Sequence, residues 1–293
     1  MFENRDLHFV SVFYGGPNGG NPAPIVLDAD GMSDADMQQV ARAFGHESGF
    51  VISPPAGADY DLALRFWVPN HEMSMCGHAT VGAIWLLQHL GRLEKDHLDI
   101  LTKSGRVQAR ILDAGSVEIS QPAGTIEPVP SDDIAEILSV LGIAERHLAP
   151  FPIQNACTSR VKTLVPLASP DILDNLQPDY TRVEAICTRI GSTGLYPYAA
   201  VDRAEQVFDA RQFPQSSGYP EDAATGIAAA ALSFGLLANG LVEAYPRTIT
   251  IRQGRAMFRP SEISVRFNVD NGRATGCWLG GRVRMDGGEA TAA

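Results

Sequence analysis

The sequence predicts an α+β protein of two similar lobes, each with strands around one buried central helix. Three observations carry this. Segments 79–90 (ATVGAIWLLQHL) and 227–238 (IAAAALSFGLLA) are helical runs apolar on almost every side, and a helix without a polar face is buried. Each is entered through a glycine-bearing loop, CGHAT in the first half and DAATG in the second. Short strand-like segments flank both helices. With 293 residues the chain is long enough for one large domain or two ordinary ones. Pro122, Pro128 and Pro130 cluster between the halves. The expected division is a lobe over 1–124 and a lobe over 125–293, with the last strands free to return to the first lobe.

In order, 8–13 (HFVSVF) reads as a strand, then a turn-rich GGPNGGNPAP loop. That loop lacks the Lys-Ser/Thr of a phosphate loop. Residues 24–27 read as a strand. Ser33 has N-cap chemistry, with Asp36 three residues on, and Met37, Val40, Ala41 and Phe44 follow at helical spacing until Gly45. Residues 50–52 and the strict alternation of Leu62, Leu64, Phe66 and Val68 read as strands. After the first central helix come strands at 98–101, 107–112 and 117–120. The second half reads as helix 132–141, strand 161–165, helix 182–189, strands 195–199 and 206–209, the second central helix, then strands 248–251, 262–267 and 276–279. The closing GGEATAA is expected to fray.

Composition narrows the function. The net charge is −11, which argues against a nucleic-acid partner. Hydrophobic residues make up 45% and charged residues 19%, as expected for a globular protein with a sizeable core. The N-terminal MFENRDLHFVSVF lacks a basic, long-apolar signal-peptide pattern, and no apolar run reaches membrane-span length. Four scattered cysteines without CxxC spacing fit reduced thiols. A cytoplasmic protein with no membrane partner is the expectation.

The chemistry concentrates at the two helix starts. A helix N-terminus offers free N–H donors and partial positive charge, so it suits carboxylates and developing oxyanions. Gly77 and Gly226 would let a ligand approach the backbone, or would simply serve turns. Glu47, between a helix end and an apolar strand, is a candidate proton-transfer carboxylate or a strand-edge surface residue. Asp222 is a candidate substrate contact or a helix-capping carboxylate. His78 is a candidate contact or a structural hydrogen bond. Cys76 reads as a packing residue, a nucleophile paired with His78, or part of a metal set, but Cys76-Gly-His78 has no partner pair at zinc spacing. No metal and no cofactor are expected.

The stretches GGNPAPIVLDADGMSDADMQQVARAFGHESGFV, MCGHATVGA and YPEDAATGIAAAAL, in this order, resemble the phenazine-biosynthesis PhzF-like isomerase family. That family shares the two-lobed fold of diaminopimelate epimerase and proline racemase. The resemblance implies strongly curved, mostly antiparallel sheets wrapped around the central helices, with the active site in a cleft between lobes. It implies that Glu47 moves a proton between carbons of a small carboxylic acid, with His78 and Asp222 as further catalytic residues. Asn21, Ser48, Gly77, Thr225 and Gly226 are implied as substrate-binding, and a homodimer is expected. Epimerases and racemases of this fold use two cysteines; here Cys76 matches the first and Ala223 stands at the second. Ile227 stands where the phenazine enzyme has serine, and Ala223 where PhzF-like proteins have proline. A cysteine-assisted epimerase, racemase or dehydratase and a non-catalytic metabolite-binding protein are the rival readings.

Overall fold

The computed structural model describes residues 5–112, 115–245 and 247–286; the tail expected to fray lies outside them. The chain is mixed α+β and divides into two compact units. Unit 1 holds Gly20–Ser120 with the segments up to Tyr14 and from Gly280; unit 2 holds Gln121–Leu279 with Gly15–Gly19.

In unit 1, β1 (Leu7–Val12) and β2 (Asn21–Val26) form an antiparallel pair. Helix α1 (Asp34–Phe44) then carries the chain to β3 (Ser48–Ile52), parallel to β2. Ser33 and Asp36 close a capping box at the start of α1, and Gly45 ends it in the left-handed conformation. β4 (Leu62–Trp67) runs antiparallel to β3, with the two-residue β5 (Glu72–Met73) beside it. Helix α2 (Gly77–His89) crosses over to β6 (His97–Thr102), parallel to β4. β7 (Gly105–Ile111) and β8 (Val117–Pro122) follow antiparallel.

Unit 2 repeats the plan. β9 (Thr125–Pro128) is followed by α3 (Ser131–Leu141) and by β10 (Gln154–Cys157), which pairs back antiparallel to it. β10 and β11 (Val161–Leu167) are antiparallel. Helices α4 (Pro170–Asp174) and α5 (Tyr180–Arg189) lead to β12 (Gly194–Asp202), parallel to β11. β13 (Val207–Ala210) and the short β14 (Phe213–Pro214) run antiparallel to β12. Helix α6 (Gly226–Ala238) crosses to β15 (Ile249–Gln253), parallel to β13, and β16 (Ser261–Asp270) returns antiparallel. β17 (Arg273–Gly281) and β18 (Val283–Met285) close the chain, with β18 antiparallel to β1. In each unit, then, a helical crossover joins two parallel strands twice, as parallel pairing requires.

Both central helices are buried in their own units. α2 packs against β1, β2, β3 and β7, and α6 against β9, β10, β11 and β16. Strands far apart in the pairing order of each unit meet the same helix, so the strands of each unit curve around it. No helix among the described residues is long and apolar enough to cross a membrane.

Four details differ from the sequence reading. Pro122 and Pro128 end β8 and β9 instead of marking a bare linker, because proline tolerates strand ends. Gln206 is not the first residue of a strand: its φ is +56° in a turn closed to Arg203. α4 was missed although Ser169 caps it and Pro170 opens it. The short strands β5, β9, β10, β14 and β18 were not read, because a few residues carry no periodicity.

Candidate active site

The first cluster is built where β3 meets the start of α2 in unit 1. Gly49 permits this approach: a Cβ there would sit 2.9 Å from Ile25 Cδ1 and 3.5 Å from Ala79 Cβ. Glu47, just before β3, is thereby brought to the first turn of α2. Its Oε2 lies 3.1 Å from Cys76 Sγ and 3.4 Å from His78 Nδ1, and the Sγ–Nδ1 distance is 3.4 Å. The side chains of Glu47 and His78 are 13% and 5% exposed, and Cys76 is buried. The thiol donates to the carboxylate, so Cys76 is a direct neighbour of Glu47. His78 Nε2 is buried with no hydrogen-bond partner among the described residues.

The helix starts differ from their neighbours. Side chains cap α1, α4 and α5, and α3 has Asp132 and Asp133 in its first turn. α2 and α6 have neither a side-chain cap nor a first-turn carboxylate. Each therefore keeps first-turn N–H donors, those of Gly77 and Gly226 among them, for another acceptor.

The second cluster lies in unit 2. Asp222 forms a β-bridge with Gln212, and its Oδ2 accepts a 2.5 Å hydrogen bond from Thr225 Oγ1, the residue before α6. Gln253, at the end of β15, reaches the same loop; the sequence reading missed it. A polar residue on the inward parity of Ile249 and Ile251 was the available signal.

The remaining predicted residues are less directly engaged. Ser48 is buried, and its hydroxyl donates to His46 O at 3.2 Å. Asn21 opens β2 opposite Val12 and is 9% exposed.

Glu47, Cys76 and His78 also place one ligand-type atom each within 4.8 Å of the others. Zinc accepts such donors. A metal-bound histidine, however, normally donates its second ring nitrogen to an acceptor, which His78 Nε2 lacks among the described residues.

Known proteins are similar to this chain over nearly its full length. An uncharacterized isomerase from Deinococcus radiodurans is 32% identical over 94% of this chain and 91% of its own. The trans-2,3-dihydro-3-hydroxyanthranilate isomerase of Pseudomonas fluorescens is 31% identical over 90% of each chain. The crystal structure of the Bacillus anthracis phenazine biosynthesis protein of the PhzF family superposes with a TM-score of 0.84 at 25% identity, covering 95% of this chain and 96% of that one. A family model described as phenazine biosynthesis-like protein matches residues 10–290, and the chain belongs to that family, PhzC-PhzF.

Proposed function

We propose that the protein is a cofactor-independent isomerase that moves a proton between two carbons of a small carboxylate-bearing substrate, with Glu47 as the acid/base. The observation that carries this reading is the mostly buried Glu47 carboxylate, in contact with a thiol and an imidazole beside the uncapped start of α2. The carboxylate takes a proton from one carbon, the electron pair delocalises into the substrate, and the same carboxyl returns the proton to a second carbon on the same face. No net oxidation occurs. The free N–H groups at Gly77 and His78 are suited to the negative charge that develops. In unit 2, Asp222, Thr225 and Gly226 are assigned to substrate binding. The relatives' name makes trans-2,3-dihydro-3-hydroxyanthranilate the first substrate to test.

The test is isomerisation and deuterium uptake in D₂O, followed by NMR. Wild type is expected to turn the compound, or another small carboxylic acid of a panel, over. Glu47→Gln keeps the shape and loses the proton, so activity should fall roughly 10²–10⁴-fold. Wild-type turnover by Glu47→Gln would refute the assignment.

The 3.1 Å contact of Cys76 Sγ with Glu47 favours one second reading, in which the thiol is itself an acid/base. It predicts that Cys76→Ala loses activity as steeply as Glu47→Gln. Under the first reading Cys76→Ala costs less than Glu47→Gln, roughly 10- to 100-fold, the scale of one lost hydrogen bond to a charged group.

A further inference from the structure

The loop before α6 is held by a residue of β15. Gln253 is 1% exposed, and its amide makes four hydrogen bonds. Nε2 donates to Asp222 O at 2.6 Å and to Thr225 Oγ1 at 3.3 Å. Oε1 accepts from Tyr196 Oη at 3.0 Å and from Thr225 N at 3.3 Å. Two donors and two acceptors saturate the amide, and a flipped amide would set N–H against N–H, so its orientation is fixed. Tyr196 remains the donor because burial, and next the charge of Asp222, push its hydroxyl far above the ordinary value. Because Thr225 Oγ1 accepts from Gln253, its own proton is directed to Asp222 Oδ2.

A second observation stands beside this. Gly254 adopts φ +79°, and a Cβ there would come within 2.8 Å of Ala223 O and 2.2 Å of Arg259 O. The backbone after Gln253 therefore turns directly against the same loop, which a side chain at position 254 would displace.

We propose that Gln253 is a positioning residue: with Gly254 it seats the Asp222–Thr225 segment, sets the rotamer of Asp222 through Thr225, and fixes the start of α6 for substrate binding. The last clause rests on the function proposed above. Gln253 does not itself touch reacting atoms in this account.

The test pairs hydrogen exchange with kinetics. Gln253→Leu removes all four bonds. Gln253→Glu keeps both acceptor positions and loses both donors. In each, amide exchange of residues 222–226 should accelerate at least about tenfold, while peptides of β11 and β16 stay within about twofold of wild type. kcat/KM should fall at least about tenfold, mainly through KM, because the loop is assigned to binding and not to proton transfer. Loop exchange within about twofold of wild type in both variants would overturn the clamp. So would exchange accelerated throughout unit 2, which would make Gln253 a general core residue. A loosened loop with unchanged KM and kcat would overturn the catalytic consequence. If wild type turns over no panel member, the proposed function fails and takes the kinetic consequence with it, and the exchange result still decides the clamp.

Discussion

Arg211 and Glu221 form a buried ion pair, each with a side chain 7% exposed. Nε and Nη2 donate to the two carboxylate oxygens at 2.8 and 2.7 Å, while Nη1 donates to Leu173 O at 3.0 Å and Leu176 O at 3.1 Å at the end of α4. The guanidinium also lies 5.0 Å from the Phe213 ring centroid. Burial works against its charge, but the bonds to Glu221 more than offset this, and its pKa is raised. Glu221→Gln preserves the shape and leaves a buried cation with one acceptor removed. Breaking such a pair costs about 3–5 kcal/mol, and since Gln still accepts one bond the lower end applies, about 3 kcal/mol. Unfolding entropy near 2.1 cal/mol/K per residue amounts to roughly 0.6 kcal/mol/K for this chain, so Tm should fall about 5 °C. If unit 2 melts by itself the fall should be nearly twice that, because its entropy is correspondingly smaller. The assay is a thermal melt by circular dichroism and calorimetry. Arg211→Met with Glu221→Leu should recover part of the loss, since no charge stays buried, and not all of it, since the α4 carbonyls lose their donor. A Glu221→Gln melt within about 1 °C of wild type would refute the reasoning.

Two further outcomes follow from the structure. Glu72 bonds Arg65 at 2.7 Å and Lys103 at 2.9 Å, and the Arg65 bond is the largest influence holding its carboxyl below the ordinary 4.5, against the opposing effect of burial. Its stabilisation is complete above that value and disappears as pH falls through the depressed one. Wild type should therefore exceed Glu72→Gln by a constant amount, about 1 kcal/mol, from pH 6 to 8, with the gap closing in urea melts below about pH 4.5; a gap that widens in acid would contradict the ion pair. Gly235→Ala should destabilise, although helix propensity alone would favour alanine by about 1 kcal/mol. Its Cβ would lie 2.2 Å from Cδ1 of the fully buried Leu164 and 3.1 Å from Gln154 Nε2. Overpacking of this kind costs about 1–3 kcal/mol, and a raised Tm would show that α6 can shift.

The sequence by itself determined the parts whose information is local. The helices 77–89 and 226–238 could be read because burial on every side needs apolar residues on every side. α1 could be read because its cap, periodicity and terminating glycine all lie within a few turns. Glu47, His78, Asp222 and Gly226 were named because recognisable motifs surround them. What only the tertiary structure decided is the hydrogen bonding between distant segments. Glu47 meets Cys76 across 29 positions, Asp222 meets Gln253 across 31, and Tyr196 meets Gln253 across 57. The inward parity of a glutamine that ends a strand points to burial, but not to which partners its amide meets. The curvature of the strands in each unit brings β15 to the loop before α6 and β3 to the start of α2, and no local pattern encodes that closure, because it arises from strand pairings made far apart in the chain.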